Sequence, residues 1–112
     1  MLYNETRIYQ RSLELVELAQ AIGKRFPRGS AYLSDQLKRA VTSITLNFAE
    51  GYGKNSRKEQ RRFFSMAKAS ANEVAAIMDI ALRLEMISES NALKALELCD
   101  HLARMLSKFR RE

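Results

Sequence analysis

The 112-residue sequence has few cysteines, prolines and glycines, and each shortage excludes a class of protein. A single cysteine, Cys99, cannot form an internal disulfide, so a disulfide-stapled scaffold is excluded. One proline and four glycines leave little material for turns, which disfavours a fold of many short strands. No apolar run approaches the roughly 20 residues that a membrane-spanning helix needs. The first residues also lack the apolar stretch of a signal peptide, and we therefore expect a cytosolic protein without integral membrane association.

Groups of side chains that could perform catalysis are also scarce. His101 is the only histidine and follows Cys99 by two residues, a spacing that sets the two side chains about 200° apart on a helix. They therefore do not converge as a nucleophile and base or as metal ligands. The segment from Gly51 to Lys54 lacks the glycine spacing of a phosphate-binding loop, and the carboxylates are scattered. We expect a protein that is not an enzyme and that holds no metal or cofactor.

Helix-forming residues in amphipathic order make up most of the chain. Apolar side chains recur every three or four residues in four segments, and turn or capping residues such as Pro27, Gly51, Gly53 and Ser88 separate them. Four helices with short connections pack most simply as an all-α, up-down-up-down antiparallel four-helix bundle. We predict a single domain over residues 1–112, with helices at about 4–24, 31–50, 56–85 and 89–110.

The junction between the second and third predicted helices is the most informative segment. Gly51 and Gly53 are able to adopt the left-handed conformation that ends a helix. Ser56 followed by Glu59 matches a capping box, in which each side chain binds a free amide at the first turn of the next helix. The sequence therefore predicts a left-handed glycine at the end of the second helix and a reciprocal cap at the start of the third.

The third predicted helix is unusually apolar. One stripe consists of Phe63, Ala67, Ser70, Val74, Ile77, Ala81 and Leu84, and the stripe beside it of Phe64, Ala71, Ala75, Met78 and Leu82. A helix that is apolar over more than half of its circumference is normally buried on two sides. In a bundle of this size we expect the second side to be covered by another subunit, and we predict a homo-oligomer that associates through the second and third helices.

The second predicted helix carries a mostly polar stripe beside its apolar one, formed by Gln36, Ala40, Ser43, Asn47 and Glu50. A solvent-exposed face of a helix more often carries Lys and Glu. Small and amide side chains are better suited to a close approach of helices with specific hydrogen bonds. We interpret the stripe as a structural polar seam, with plain exposure and a ligand site as the alternatives.

The net charge of +6 and the pI near 9.8 favour an anionic partner, although a merely solvated basic surface would have the same totals. Antiparallel packing brings the start of the first helix, the second junction and the end of the fourth helix to one end. That end holds 11 of the 19 basic and four of the 13 acidic residues, so its net charge is +7 against −1 elsewhere. The predicted nucleic-acid surface within it comprises Arg7, Arg11, Lys54, Arg57, Lys58, Arg61, Arg62, Lys108, Arg110 and Arg111.

Several of these cations occupy the amino end of the third helix, where they oppose its dipole at a cost of about a few tenths of a kcal/mol each. That unfavourable placement favours an anionic partner. Phosphate contacts give affinity without sequence readout, and Tyr9, Tyr52 and one of Phe63 and Phe64 are candidate stacking surfaces for unpaired bases. We predict non-specific binding of RNA or single-stranded DNA. The alternatives are a scaffold that docks an acidic protein and, less favoured, attachment to anionic lipid.

Specific sequence strings extend over nearly the whole chain. They are Phe26-Pro27, Gln36-Leu37-Lys38-Arg39-Ala40, Asn47-Phe48-Ala49-Glu50-Gly51-Tyr52-Gly53-Lys54 and Ser56-Arg57-Lys58-Glu59. Together they closely resemble the four-helix-bundle family of intervening-sequence proteins, which are encoded within insertions in bacterial 23S rRNA genes. Two positions depart from the family pattern: Thr45 stands where Pro is usual, and Ala69 where Gly is usual.

The resemblance implies a bacterial, cytosolic, homopentameric bundle with no known enzymatic activity. The related accessory variability proteins of diversity-generating retroelements bind nucleic acid and a reverse transcriptase through basic surfaces. RNA, single-stranded DNA and a reverse transcriptase or other protein are therefore the partners that the resemblance implies. The family's motif positions, which imply architecture or a subunit interface and not a catalytic set, are Gln36, Arg39, Ser43, Asn47, Glu50, Gly51, Tyr52 and Gly53.

Overall fold

The computed structural model describes residues 2–110, which form an all-α, up-down-up-down antiparallel four-helix bundle. The helices are α1 (Arg7–Lys24), α2 (Ala31–Tyr52), α3 (Arg57–Arg83) and α4 (Glu89–Lys108). Each helix packs against the two beside it in chain order, and α4 closes against α1. None of the described helices is long and apolar enough to cross a membrane.

The first and last helices are shorter than their patterns predict. Tyr3–Glu5 form a separate 3₁₀ turn, and Thr6 caps α1 by accepting a hydrogen bond from the Tyr9 amide at 3.2 Å. At the other end of the chain, Phe109 leaves the helix with φ −67° and ψ 136°. The backbone therefore changes direction at Phe109, and α4 ends at Lys108, two residues before the predicted boundary.

The junction between α2 and α3 contains no left-handed glycine, so that prediction is wrong. Gly51 is a helical residue of α2, and Gly53 has φ −81°. The helix ends instead in a tight turn, in which the Gly53 amide donates to the carbonyls of Ala49 (3.3 Å) and Glu50 (3.2 Å). The side chain of Gln60 then donates from Nε2 to the Lys54 carbonyl at 2.9 Å, which ties the turn to α3.

Gly51 is required for close packing and not for backbone freedom. A Cβ atom built on it would lie 2.8 Å from the Cβ of Phe63 and 2.8 Å from Cε1 of Phe64. Because the Phe63 Cβ is bonded directly to the α3 backbone, a larger residue at this position would push α3 away from α2. The predicted helix breaker is therefore the contact point between two helices.

A left-handed residue does occur after α3, at Glu85 with φ 58°. The Met86 amide donates to the Ala81 carbonyl at 2.8 Å across it, which is the bond that closes a Schellman-type helix end. This turn ends the regular helix at Arg83, before the predicted boundary at 85.

The second apolar stripe of α3 is covered by the same chain. The buried residues of α3 are Gln60, Phe64, Ala67, Ala71, Val74, Ile77, Met78 and Ala81, and they come from both predicted stripes. Since α2 packs on one side of α3 and α4 on the other, both stripes find partners inside one bundle. Most of both stripes is therefore buried within one chain, while Leu82 and Leu84 are exposed, so the width of the apolar face does not by itself require a second subunit.

Candidate nucleic-acid interface

The end of α4 packs against the α2–α3 junction through Phe109. The centroid of its ring lies 5.3 Å from that of Phe48, 6.0 Å from that of Tyr52 and 5.5 Å from that of Phe64. Phe48 and Phe64 also stack on each other at 5.5 Å. This aromatic cluster joins three distant parts of the sequence, so the basic residues beside each of them come to one end of the bundle.

A groove of about 380 Å³ lies between α3 and α4 beside this cluster. We call it the α3–α4 groove, and its lining residues are Arg57, Gln60, Arg61, Phe64, Ser65, Lys68, Leu106, Ser107, Phe109 and Arg110. Four of the ten are cations and none is a carboxylate. Arg57, Arg61 and Lys68 come from one flank of α3, and Arg110 comes from the opposite wall.

A second cavity, of about 260 Å³, lies on the other side of Phe109. It is lined by Arg7, Ile8, Met105, Lys108 and Phe109, so the start of α1 and the end of α4 share it. Phe109 therefore stands between two cavities that each have cationic walls.

Two other cations near the junction, Lys54 and Arg62, are engaged, whereas Lys58 lies outside the groove and makes no ion pair within residues 2–110. Lys54 and Arg62 form ion pairs with Glu50 (3.3 Å) and Glu59 (3.0 Å), and both cations lie over the Phe63 ring at 5.1 and 4.6 Å from its centroid. By contrast, the four groove cations have no ion pair within residues 2–110, since the salt bridges of that part of the chain all involve other cations. Two chemically distinct groups of cations therefore flank the amino half of α3.

Glu59 illustrates the engaged group. Ser56 accepts a hydrogen bond from the Glu59 amide at 3.1 Å, which is one half of the predicted capping box. The Glu59 carboxylate, however, accepts from Arg62 Nε at 3.0 Å, so within the described residues its hydrogen bond goes to Arg62 and not back to Ser56. This hydrogen bond and the Arg62 charge lower the pKa of Glu59 below its ordinary value.

The polar stripe of α2 faces α3 and is hydrogen-bonded to it. Ser43 Oγ lies 2.8 Å from Ser70 Oγ, and Asn47 Nδ2 donates to the carbonyl and the hydroxyl of Ser43 at 2.9 Å each. Gln36 Nε2 donates to Glu73 at 3.1 Å. Gln36, Ser43 and Asn47 therefore each make a side-chain hydrogen bond within the chain. Arg39 is exposed on the outer side of α2.

The two positions that depart from the family pattern both fit continuous helices. Thr45 is buried and donates from Oγ1 to Ser12 Oγ at 3.0 Å, which bridges α2 and α1. Ser12 in turn donates to the Tyr9 carbonyl at 2.7 Å, so this buried pair is satisfied. Ala69 lies on the exposed face of α3.

Cys99 and His101 occupy different environments. Cys99 lies in the core, where burial raises the pKa of its thiol to about 12. His101 lines a surface depression between α1 and α4 together with Arg11, whose guanidinium pairs with Glu14 at 2.9 Å. Residues 2–110 contain no group of three His, Cys, Asp or Glu side chains that could hold a metal ion.

The structure divides the ten cations that the sequence predicts for the interface. Arg57, Arg61 and Arg110 line the α3–α4 groove, and Arg7 and Lys108 line the neighbouring cavity. Lys54, Lys58 and Arg62 lie outside both, Arg11 faces the α1–α4 depression, and Arg111 lies outside the described residues.

Sequence reasoning missed Lys68, Ser107 and Phe109 as residues of this site. The signal for Lys68 was present, because residues four and eleven positions after Arg57 fall on the same flank of a helix. Ser107 and Phe109 carry no such signal, since their place depends on how α4 docks. The missed residues therefore separate into one that periodicity reveals and two that require the tertiary structure.

Comparison with known proteins gives a family and a fold. The family model described as 23S rRNA-intervening sequence protein matches residues 4–108. A crystal structure of a protein of unknown function from the S23 ribosomal protein family of Bacteroides thetaiotaomicron is similar to this chain, with a TM-score of 0.81 and 22% identity. That similarity covers 88% of this chain and 94% of the other, and it supports the fold alone. No curated protein matches the chain.

Proposed function

The chain belongs to the family of 23S rRNA-intervening sequence proteins, and we propose that it is a non-enzymatic protein that binds RNA or single-stranded DNA through its basic end. The supporting observation is the packing of Phe109 on Phe48, Tyr52 and Phe64. This packing sets the cations of the α1 start, the α3 start and the α4 end around one aromatic cluster. A polyanion is the ligand that such a concentration of positive charge favours.

The binding that we propose has little sequence preference. Arg and Lys side chains on an open surface contact phosphate oxygens, which are the same for every base. Affinity of this kind arises largely from counterion release, so it falls steeply as the salt concentration rises. The salt dependence of binding is therefore the property to measure.

A filter-binding titration with generic RNA at increasing salt concentration tests the proposal. We expect the logarithm of the affinity to fall by several units per decade of salt. Replacing Arg57, Lys58, Arg61 and Arg62 with Glu should abolish binding and leave the helical circular-dichroism signal intact. The matched control reverses four exposed cations at the opposite end of the bundle, Lys24, Arg25, Arg28 and Arg83, and should reduce binding far less.

Absence of RNA and single-stranded DNA binding at low salt would remove the nucleic-acid proposal. The basic end would then be assigned to its main alternative, a scaffold function in which it docks an acidic protein. Equal losses in the two quadruple variants would contradict the assignment of binding to the basic end, because only the total charge would then matter.

We also propose that the protein self-associates through the outer face shared by α2 and α3, with the homopentamer that the family resemblance implies as the expected state. The support is a set of exposed apolar side chains at helical spacing on this face: Tyr32, Leu46, Met66, Ile80 and Leu84. Tyr32 and Leu46 are 64% and 67% exposed, which is unfavourable for large apolar groups in a lone bundle.

Light scattering tests this self-association. The wild-type protein should have the mass of an oligomer, and the pair of substitutions Leu46→Asp and Ile80→Asp should convert it to a folded monomer. Leu93→Asp is the control, because Leu93 is similarly exposed at 58% but lies on α4. A monomeric wild-type protein would contradict the proposal.

A further inference from the structure

We propose that the α3–α4 groove binds a single-stranded segment of nucleic acid. The phosphates of this segment would contact Arg57, Arg61, Lys68 and Arg110, and one base would lie against Phe109. The inference rests on the proposed function and deepens it, because it names the binding site and predicts a preference for single strands over duplexes. Three observations on the groove support the inference. They are the lack of ion pairs at its cations, the apolar side chains at its base and a buried hydrogen-bond acceptor that no described residue uses.

The first observation is that the groove cations have no ion-pair partner within residues 2–110. At the same end of the bundle, Lys54 and Arg62 are neutralised by Glu50 and Glu59. The four cations of the groove have no carboxylate within salt-bridge distance in residues 2–110, and no acidic side chain lines the groove. Cations facing one another without counter-charges repel, and an anion between them would relieve that repulsion.

The second observation is that the floor of the groove is apolar and aromatic. Phe64 and Leu106 are buried at its base, and Phe109 is half-buried and lines its side. Inorganic phosphate gains no favourable contact from an apolar surface. A nucleobase does, because aromatic side chains stack on every type of base. The volume of about 380 Å³ lies within the range of small-molecule sites, roughly 300–1,000 Å³. The groove is therefore large enough for a single nucleotide and too small to enclose a duplex.

The third observation concerns Gln60, which lines the groove and is only 7% exposed. Its Nε2 donates to the Lys54 carbonyl, but its side-chain oxygen has no hydrogen-bond partner among the described residues. Buried acceptors are normally satisfied. A phosphate oxygen cannot donate to this atom, whereas the N–H groups of a base can. The groove thus combines positive charge, an aromatic surface and a lining residue, Gln60, with an acceptor that no described residue uses, and these three features together match a nucleotide.

The preference for single strands follows from base accessibility. In a duplex the bases are stacked and paired, so only the backbone can reach the groove. In a single strand a base is free to turn out and lie against Phe109 while its phosphates remain on the cations. Stacking contributes about 1–3 kcal/mol per base, which corresponds to roughly 5- to 150-fold in affinity. We therefore expect a loss of at least about fivefold when the bases are removed.

Fluorescence anisotropy with four labelled probes tests the inference: a 12-nucleotide oligo(U), a 12-base-pair RNA duplex, an abasic 12-mer and a 12-nucleotide oligo(dT). The groove variant carries Arg61→Glu and Lys68→Glu. Its matched control carries Lys58→Glu and Arg62→Glu, the same change in charge on the same helix but outside the groove. Circular dichroism verifies that both variants are folded.

We expect wild-type protein to bind both single strands at least about fivefold more tightly than the abasic strand, and more tightly than the duplex at equal salt. The groove variant should lose at least about tenfold in affinity for oligo(U), and its salt slope should fall by roughly one to two units. The control variant should lose much less.

The outcomes separate this inference from the function on which it rests. If wild-type protein binds none of the probes at low salt, the proposed function itself is wrong. If it binds but the two variants lose affinity equally, the proposed function stands and the groove is not the binding site. Equal affinity for the abasic strand or for the duplex overturns the base contact, because phosphate contacts alone would then account for binding.

Discussion

The two flanks of α3 differ in whether their polar groups are satisfied within the chain. On the flank toward α2, Ser70 meets Ser43 at 2.8 Å and Glu73 accepts from Gln36 at 3.1 Å. On the flank toward α4, Arg61 and Lys68 line a groove to which residues 2–110 contribute no carboxylate. The same helix thus presents a closed polar surface on one side and an open cationic surface on the other.

The difference indicates which polar residues serve the fold and which are available to a ligand. A hydrogen bond between neighbouring elements contributes to stability and leaves little for an external partner. Clustered cations near the amino end of a helix lower stability through the dipole and through mutual repulsion. Residues toward α2 should therefore affect folding when changed, and residues toward α4 should affect binding.

The largest expected effect is at Gly51, where α2 contacts the root of α3. Replacing it with Ala should lower the free energy of unfolding by about 1–3 kcal/mol, because the added Cβ overlaps Phe63 and Phe64. This loss should outweigh the gain in helix propensity of about 1 kcal/mol. Urea unfolding measures the difference.

Gly29→Ala is the control for this substitution, because a Cβ at Gly29 meets no atom within 4 Å. Its effect should lie within about 0.5 kcal/mol. A more stable Gly51→Ala protein would contradict the close-packing explanation and indicate that Gly51 acts through its backbone alone.

Much of the fold follows from periodicity, while the errors arise where packing decides. The four amphipathic segments predict the bundle, because each apolar stripe needs a neighbour to cover it. The Gly-x-Gly string also resembles a helix end in any sequence. The structure shows that Gly51 is helical and that a Cβ atom built on it would lie 2.8 Å from the Cβ of Phe63. The width of the apolar face on α3 was interpreted as a subunit interface because sequence alone does not reveal that α2 and α4 each cover one side.

The candidate site was predictable in charge but not in arrangement. Antiparallel topology is enough to gather the basic segments at one end, and Phe109 joins them there. The division into engaged and unpaired cations depends on side-chain directions, such as that of Arg62 toward Glu59 at 3.0 Å. Helical spacing separates Arg61 from Arg62, but it does not reveal that the flank of Arg61 borders a groove against α4.

The next largest effect concerns the hydrogen bond between Ser43 and Ser70. Ser70→Ala should lower the free energy of unfolding by about 1 kcal/mol, because a part-buried hydroxyl loses its partner across the α2–α3 contact. The double variant with Ser43→Ala should cost less than the sum of the two single variants. RNA affinity should not change in any of the three, and a binding loss would contradict the division between flanks.

A smaller effect is expected at Arg57, where removal of the charge should increase stability and weaken RNA binding. Arg57→Gln should raise the free energy of unfolding by a few tenths of a kcal/mol, roughly, because it removes a cation from the positive end of the α3 dipole. The same change should weaken RNA binding. Lys108→Gln is the matched control, since Lys108 is in the last turn of α4 and its cation complements the dipole there. A stability loss at Arg57 would contradict the interpretation that its charge is held for a ligand.

The smallest effect is the pH dependence of the Glu59–Arg62 pair on the engaged flank. The hydrogen bond from Arg62, together with its charge, holds the folded-state pKa of Glu59 below the ordinary value of 4.5. A carboxylate with a lowered pKa stabilises the fold above its unfolded-state pKa, and the contribution is lost as the pH falls through the folded-state value. The difference in the free energy of unfolding between the wild-type protein and Arg62→Gln should therefore be constant near neutral pH and vanish as the pH falls below 4.5.

Carbon-detected NMR titration of Glu59 should give a higher pKa in Arg62→Gln, whereas Arg61→Gln on the groove flank should leave that pKa nearly unchanged. A comparable rise in the pKa of Glu59 in the Arg61 variant would mean that cations on both flanks of α3 act on Glu59, so the two flanks would not be electrostatically separate.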